Sequence, residues 1–312
     1  MAQLGTTGLD VLPLCLGGNV FGWTADERAS FAVLDAFVDG GGTLVDTADQ
    51  YSAFVPGNEG GESETIIGRW LRTTGKRDRI VLASKVGRRR GYEGLSAVNI
   101  RRVFEGSLQR LQTDYLDLYY AHQDDPETPL EEALGTLDEL VREGKVRHLA
   151  ASNYEPDRLA EALATADREG FHRFVALQPH YNLVERERYE GPLRDVCARE
   201  GLACLPYWAL ARGFLTGKYR AGAENPDTPR AGQAAAYLED ERGPRVLAAL
   251  DEVAAAHDTT PAAVAIAWLA AQPTVVAPIA SARSLEQLGD LLAGARLELA
   301  ADELTLLEQA SG

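Results

Sequence analysis

Eight short apolar runs recur along the chain, each followed by a turn and most by a segment of helical periodicity. They occupy residues 12–16, 43–46, 80–86, 115–121, 146–152, 174–178, 202–207 and 275–280. None alternates cleanly with polar residues, so each reads as a strand buried on both faces. Helical patterns lie between them at 26–38, 97–111, 129–142, 156–167, 261–271 and 285–292. The first is expected to bring Phe31, Leu34, Ala36 and Val38 together. The second spaces Ile100, Val103, Phe104, Leu108 and Leu111 by three and four behind Ser96, a suitable N-cap. Pro129, Pro156 and Pro261 suit first helical positions. Strand and helix in alternation imply parallel pairing with right-handed crossovers. Eight such units predict an α/β fold, a (β/α)8 TIM barrel, with an open doubly wound sheet as the structural alternative. A chain of 312 residues suits one barrel, so residues 1–312 are expected to form one domain. Residues 4–9, turning on Thr6-Thr7-Gly8, predict a short N-terminal β-hairpin that plugs the barrel floor. Residues 217–244, with Gly222, Asn225-Pro226, Pro229, Gly232 and Gly243-Pro244, read as a long loop after the seventh strand. A last helix is expected at 301–309.

Composition narrows the function classes. No run of 18 apolar residues occurs, and the start lacks a basic segment followed by an apolar one, so no membrane partner and no secretion are expected. Cys15, Cys197 and Cys204 are odd in number and sit in apolar surroundings; they read as buried thiols of a cytoplasmic protein. A formal net charge of −16 argues against nucleic acid as a partner. Arg88-Arg89-Arg90 is the local exception. Its ordinary reading is a solvated loop; its other reading, just past Lys85, is a contact for an anionic substrate. A monomer or weak homo-oligomer is expected.

In a β/α barrel, chemistry gathers at the carboxyl ends of the strands. Those ends carry Gly17-Gly18-Asn19, Asp46, Lys85, His122, Ser152-Asn153, Gln178, Tyr207 and Ser281. Lys85 is informative because only four of the 31 basic residues are lysines (Lys76, Lys85, Lys145, Lys218). A lysine ending a buried strand supplies a compact ammonium. It would lower the pKa of a nearby phenol, and Tyr51 lies five residues past Asp46 in the following loop. The four groups compose a reaction. Tyr51 gives a proton to a carbonyl oxygen, His122 orients that oxygen or relays the proton, and Asp46 holds Lys85. Singly, each would be read as a structural ion pair or as packing; together, on one rim, they read as catalytic. His122 has no second ligand at metal spacing, so no metal is expected and a metal-dependent hydrolase is disfavoured.

The stretch Val45-Asp46-Thr47-Ala48-Asp49-Gln50-Tyr51 resembles the Asp-Thr-Ala-x-x-Tyr motif of the aldo-keto reductase superfamily. Gly60-Glu62-Ser63-Glu64, Ile67-Gly68, Ser84-Lys85 and the run 114–122 ending in His122 are similar to its later segments, and the likeness covers nearly the whole chain. The resemblance implies an NADP-dependent oxidoreductase of bacterial type, with Asp46, Tyr51, Lys85 and His122 as its catalytic tetrad. It also implies an NADPH site. Ser152, Asn153 and Gln178 would hold the nicotinamide carboxamide, Gln178-Pro179-His180-Tyr181-Asn182 being similar to the family's Gln-x-x-Tyr-Asn. Tyr207 would stack on the ring, and Gly18, Asn19 and Val20 would approach the ribose. Leu210, Arg212-Gly213 and 215–218 with Lys218 resemble the pyrophosphate loop. Ser281 and Arg283 open a segment similar to Gly-x-Arg-x-x-x-Gln-Leu, and an arginine at a helix start suits a 2′-phosphate; the other reading of Arg283 is a solvated residue. Gln287 would face adenine. The chain departs from the pattern at Trp208, usually a small polar residue of the cofactor site, at Ala280, usually glycine, and at Leu291, usually an asparagine for which Asp290 is a partial stand-in. No Gly-x-Gly-x-x-Gly is present, which argues against a Rossmann domain.

The expected substrate is a small-molecule aldehyde or ketone. Trp23, Phe54 and Tyr92, with Phe21, Trp208 and His122, are candidate pocket walls; the aromatic ones read equally well as core. The other function class is an NADPH-binding regulatory or scaffold subunit of the channel β-subunit type, because that branch of the superfamily keeps the tetrad.

Overall fold

The structure is a computed structural model that describes residues 1–224 and 226–312, so Asn225 of the long loop lies outside the described residues. Eight parallel strands carry the fold: β1 (Cys15–Gly17), β2 (Leu44–Asp46), β3 (Val81–Val86), β4 (Leu116–Ala121), β5 (Val146–Ser152), β6 (Phe174–Gln178), β7 (Ala203–Cys204) and β8 (Ile279–Ala280). Neighbours in sequence are neighbours in the sheet from β1 to β7, and β8 pairs with β1. The ring closes where Cys204 N donates to Thr274 O at 2.8 Å and Val276 N to Cys204 O at 2.9 Å. The sheet is therefore the predicted (β/α)8 barrel.

Two strands are shorter than their apolar runs. Runs 202–207 and 275–280 form ladders only over Ala203–Cys204 and Ile279–Ala280. Pro206 and Pro278 have no N–H to give, yet the chain stays extended and their carbonyls accept from Ile279 and Cys15, each at 2.9 Å.

The helices are α1 (Glu27–Asp39), α2 (Glu62–Thr74), α3 (Ala97–Leu111), α4 (Leu130–Arg142), α5 (Pro156–Glu169), α6 (Pro192–Glu200), α7 (Arg242–Ala256), α8 (Pro261–Ala270), α9 (Leu285–Gly294) and α10 (Ala301–Ser311). Three of these, α2, α6 and α7, lie outside the helical segments expected from the sequence, although α2 (Ile66, Ile67, Trp70, Leu71) and α7 (Val246, Leu247, Leu250, Val253) carry apolar residues at helical spacing. The buried face of α2 mixes Ser63, Glu64 and Gly68 with Ile66, Ile67, Trp70 and Leu71, and α6 buries only Val196 and Cys197. Helix α7 begins inside the loop expected at 217–244, with Pro244 in its first turn, and Ala231–Ala235 adds a helical turn to that loop. Several details correct the sequence reading. The buried face of α1 is Val33, Leu34, Phe37 and Val38, with Phe31 and Ala36 half-buried beside it. Pro129 caps α4 instead of opening it. Ser96 stands at the N-cap of α3 but makes no capping bond; Glu132 Oε1 accepts from Ala97 N at 3.0 Å instead.

Alternation along the strands sorts the side chains. Cys15, Leu44, Val81, Ala83, Leu118, Tyr120, Ala150, Ala176, Ala203, Leu205, Ala277 and Ile279 share the barrel interior, while Val45, Leu82, Val86, Tyr119 and Leu149 join the layer under the helices. The floor is closed by the hairpin Ala2–Gln3 with Asp10–Val11. Its Leu4 is fully buried in the interior group. Gly5 has φ +55°, and a Cβ there would come within 2.8 Å of Val175 O, so only glycine lets this turn sit against β6. No helix among the described residues is long and apolar enough to cross a membrane.

Candidate active site

The interior alternation decides what reaches the rim. Stepping by two from Leu44 gives Asp46, from Ala83 gives Lys85, from Tyr120 gives His122, from Ala150 gives Ser152, from Ala176 gives Gln178, from Leu205 gives Tyr207 and from Ile279 gives Ser281. Seven of the eight strands thus end their apolar stack on a polar group, β1 ending on Gly17, and all but the fully buried Lys85 line a cleft of about 660 Å³.

Beneath it Lys85, fully buried, uses all three ammonium protons. It donates to Asp46 Oδ2 at 2.6 Å, to Thr47 O at 2.8 Å and to Tyr51 Oη at 2.8 Å. Tyr51 in turn donates to Asp46 Oδ2 at 3.3 Å, and Gln178 Nε2 donates to Asp46 Oδ1 at 3.0 Å. The expected lowering of the Tyr51 pKa is reversed. Burial, and then the Asp46 carboxylate, hold the phenol well above its ordinary value, because Lys85 is already neutralised by Asp46. Tyr51 is therefore a protonated donor. The His122 ring lies 6.3 Å from the Tyr51 ring. Burial, then Lys85 and Arg88, push it well below its ordinary value, so it is a neutral imidazole.

The loop that carries Tyr51 also buries Asp49, whose two carboxylate oxygens find no partner. Burial and the adjacent Glu64 raise it to about 7, while Glu64 itself takes Ser84 Oγ at 2.5 Å and Arg110 Nε at 2.7 Å. The folded state prefers the protonated acid, so this contribution is full below the unfolded value of about 3.9 and is lost as pH rises toward 7. Asp49→Asn is expected to raise the melting temperature at pH 8, by at most about 4 kcal/mol of stability, with the gain shrinking as pH falls toward 4. Melting curves at both pH values would show it; a gain independent of pH would mean that Asp49 is not charged in the folded protein above neutrality.

The residues that the sequence placed around a nicotinamide form one network. Tyr207 donates to Asn153 Oδ1 at 2.9 Å, Asn153 Nδ2 donates to His122 O at 2.8 Å and to Ser152 Oγ at 3.0 Å, and Ser152 Oγ donates to Gln178 O at 2.9 Å. His180 stacks on the far face of Tyr207 with centroids 5.4 Å apart. Trp208 packs edge-on against both and lies under the Arg212 guanidinium at 3.8 Å. The backbone is left-handed at Trp208, Ala211, Arg212 and Gly213, an arrangement whose successive N–H groups suit an anion. Arg212 Nε is buried without a partner, and a Cβ on Gly213 would come within 3.4 Å of Lys218 Nζ. At the far end Ser281 donates to Asn19 Oδ1 at 2.6 Å, and Arg283 precedes the Ser284 cap of α9. These features fit a dinucleotide phosphate: unpaired cationic donors, a glycine approach and a helix start.

Of the residues proposed from sequence, Asn19, Val20, Trp23, Tyr51, Asp46, His122, Ser152, Asn153, Gln178 and Tyr207 line this cleft. So do Trp208, Leu210, Arg212, Gly213, Lys218, Ser281, Arg283, Gln287 and Asp290. Five do not line it directly: Lys85 lies fully buried beneath it, behind Asp46 and Tyr51, and Phe21 is part of the core. Gly18 sits behind, its carbonyl accepting from Ser63 Oγ at 2.8 Å, and Gly17 lines the cleft in its place. Phe54 stands outside with its ring on Trp23 at 4.8 Å. Tyr92 is held on a separate hairpin between Arg89 and Arg102. Arg230 and Thr228 line the cleft although no strand end or motif marked them; they come from a turn-rich loop whose path no periodicity reveals. No group of three metal-ligating side chains converges among the described residues.

Residues 13–311 match the model of the Aldo/keto reductase family. The chain is 36% identical to the oxidoreductase YrpG of Bacillus subtilis, the match covering 97% of this chain and 93% of the relative. It is 32% identical to protein tas of Escherichia coli over 97% and 94%. It is 29% identical to the aldo-keto reductase yakc [NADP(+)] of Schizosaccharomyces pombe over 94% and 86%. With the barrel, the rim and these relatives in agreement, the chain belongs to the aldo/keto reductase family of oxidoreductases.

Proposed function

We propose that this protein reduces an aldehyde or ketone to an alcohol with NADPH, Tyr51 giving the proton. The observation that carries the reading is the protonated Tyr51 phenol, bound by the Lys85 ammonium at 2.8 Å beside a neutral His122. The cofactor, when bound, supplies a hydride to the carbonyl carbon. Tyr207 would present one face of its nicotinamide, and Ser152, Asn153 and Gln178 would hold the carboxamide. The left-handed loop and Lys218 suit the pyrophosphate, Asn19 and Val20 the ribose, Ser281 and Arg283 the 2′-phosphate, and Gln287 and Asp290 the adenine. His122 donates to or orients the carbonyl oxygen, and Tyr51 protonates that oxygen. Lys85 then faces the resulting phenolate and stabilises it until solvent returns the proton. Three free, buried thiols suit a reducing cytoplasm.

The test is direct: NADPH is mixed with the protein and 4-nitrobenzaldehyde or 9,10-phenanthrenequinone, and loss of the reduced-nicotinamide absorbance is followed. Tight NADPH binding without turnover across a carbonyl panel would replace this reading with a regulatory cofactor-binding role. Arg283→Ala is expected to weaken NADPH by about 10–100-fold, the worth of a charge-assisted phosphate contact, and NADH far less. Fluorescence titrations of both cofactors decide it; an equal effect on the two removes the 2′-phosphate role.

A further inference from the structure

Many arginines elsewhere on the barrel are answered by carboxylates, as Arg69 is by Glu27, Arg158 by Asp124, Arg186 by Glu190 and Arg220 by Asp251, while others, such as Arg72 and Arg79, stand exposed without one. The cleft is different. Arg88, Arg212 and Arg230 all line it, and no carboxylate among the described residues pairs with any of them. In a chain of net charge −16, unpaired guanidiniums gathered at one mouth are a focused attraction for anions.

The cations fall into two groups along the cleft. Lys218 and Arg283 lie near each other at the end assigned to the cofactor phosphates, and burial with Arg283 lowers Lys218 from its ordinary value. Arg88 lies toward the reactive groups, and Arg230 lies between Arg212 and Tyr51. Arg88, on the hairpin directly after β3, is close enough to His122 to help depress it. Arg230 rests 4.9 Å from the Trp23 ring. Burial and neighbouring Arg212 lower its pKa, while Tyr51 acts on it in the opposite sense. A guanidinium held partly desolvated, against an aromatic face and without a counter-ion, is prepared for a planar anion.

We infer that the carbonyl substrate carries a carboxylate, seated by Arg88 and Arg230 while its carbonyl meets Tyr51 and His122. This rests on the carbonyl-reductase reading and adds the substrate class. Each guanidinium offers paired N–H donors to carboxylate oxygens, and Trp23, which lines the cleft against Arg230, supplies a wall for the carbon frame. The rival use of Arg230 is a contact to the cofactor pyrophosphate.

The experiment compares 4-carboxybenzaldehyde with methyl 4-formylbenzoate, which keeps the ring and the aldehyde and removes the charge. The wild type is expected to favour the acid by about tenfold or more in kcat/KM, and Arg88→Gln or Arg230→Gln to bring the acid-to-ester ratio to about one. In parallel, calorimetry reads 4-(hydroxymethyl)benzoate binding to the NADP⁺-loaded protein, with an expected loss of about tenfold in either variant. Ester turnover with no preference for the acid overturns this inference and leaves the carbonyl-reductase reading standing. A weakened NADPH affinity in Arg230→Gln with an unchanged acid-to-ester ratio also overturns it, assigning that arginine to the pyrophosphate. Absence of turnover with both aldehydes, together with arginine-dependent binding of the carboxylate, supports the anion site and removes the reductase reading. Absence of both turnover and binding removes both.

Discussion

Tyr51→Phe is expected to lower kcat/KM by about 10³-fold, within the range of 10² to 10⁴ typical of a general acid, while NADPH affinity changes by less than about twofold. The substitution deletes one oxygen. That oxygen accepts from Lys85 at 2.8 Å and donates weakly to Asp46 at 3.3 Å, so its loss leaves the tighter Lys85–Asp46 bond of 2.6 Å in place. The ring stays in its half-buried slot beside the Lys85 ammonium, 4.6 Å away. None of the residues assigned to the cofactor hydrogen-bonds to the Tyr51 hydroxyl, which is why binding and turnover should separate. Steady-state kinetics with 4-nitrobenzaldehyde and a cofactor fluorescence titration measure the two. Losses of similar size in both would remove Tyr51 as the proton donor.

Lys85→Met is expected to be as damaging to turnover and far worse for stability. Both charges of the pair are buried, and removing one partner of a buried pair typically costs about 3–5 kcal/mol, because the remaining charge is stranded. Asp46 would keep only Gln178 Nε2 at 3.0 Å and the weaker Tyr51 contact. The double variant Lys85→Met with Asp46→Leu removes the stranded charge, so much of the lost stability should return while activity stays absent. Urea midpoints of the two variants, set beside their turnover, separate the structural from the catalytic role. A double variant no more stable than the single one would show that Asp46 is not left charged and unpaired.

Much of the site was legible because a strand exposes its plan every second residue. Asp46, Lys85, His122, Gln178 and Tyr207 end apolar runs whose interior positions can be counted from the sequence, and closure of eight strands brings those ends together. Tyr51 was legible by motif, since a loop residue has no period. Three things were hidden for physical reasons. The direction of the Tyr51 shift depends on burial and on the prior claim of Asp46 on Lys85, and neither is written in local sequence. Helix α2 was overlooked because its short stripe of Ile66, Ile67, Trp70 and Leu71 is diluted by Ser63 and Glu64, which its inner face buries against Gly18 O and Arg110 of α3. Arg230 arrives from a segment rich in turn residues, where the path of the backbone is set by packing over Trp23.

The separation between the hairpin at one mouth of the ring and the reactive groups at the other has a consequence for inheritance. Leu4, Gly5 and the apolar layers above them guard the shape of the cylinder; the connecting segments that bear Trp23, Arg88 and Arg230 hang from its opposite lip. Lengthening or recolouring those segments would leave the foundations undisturbed, so the lip can be remodelled in descendants of such a chain while Tyr51 and its ammonium neighbour Lys85 stay where they are.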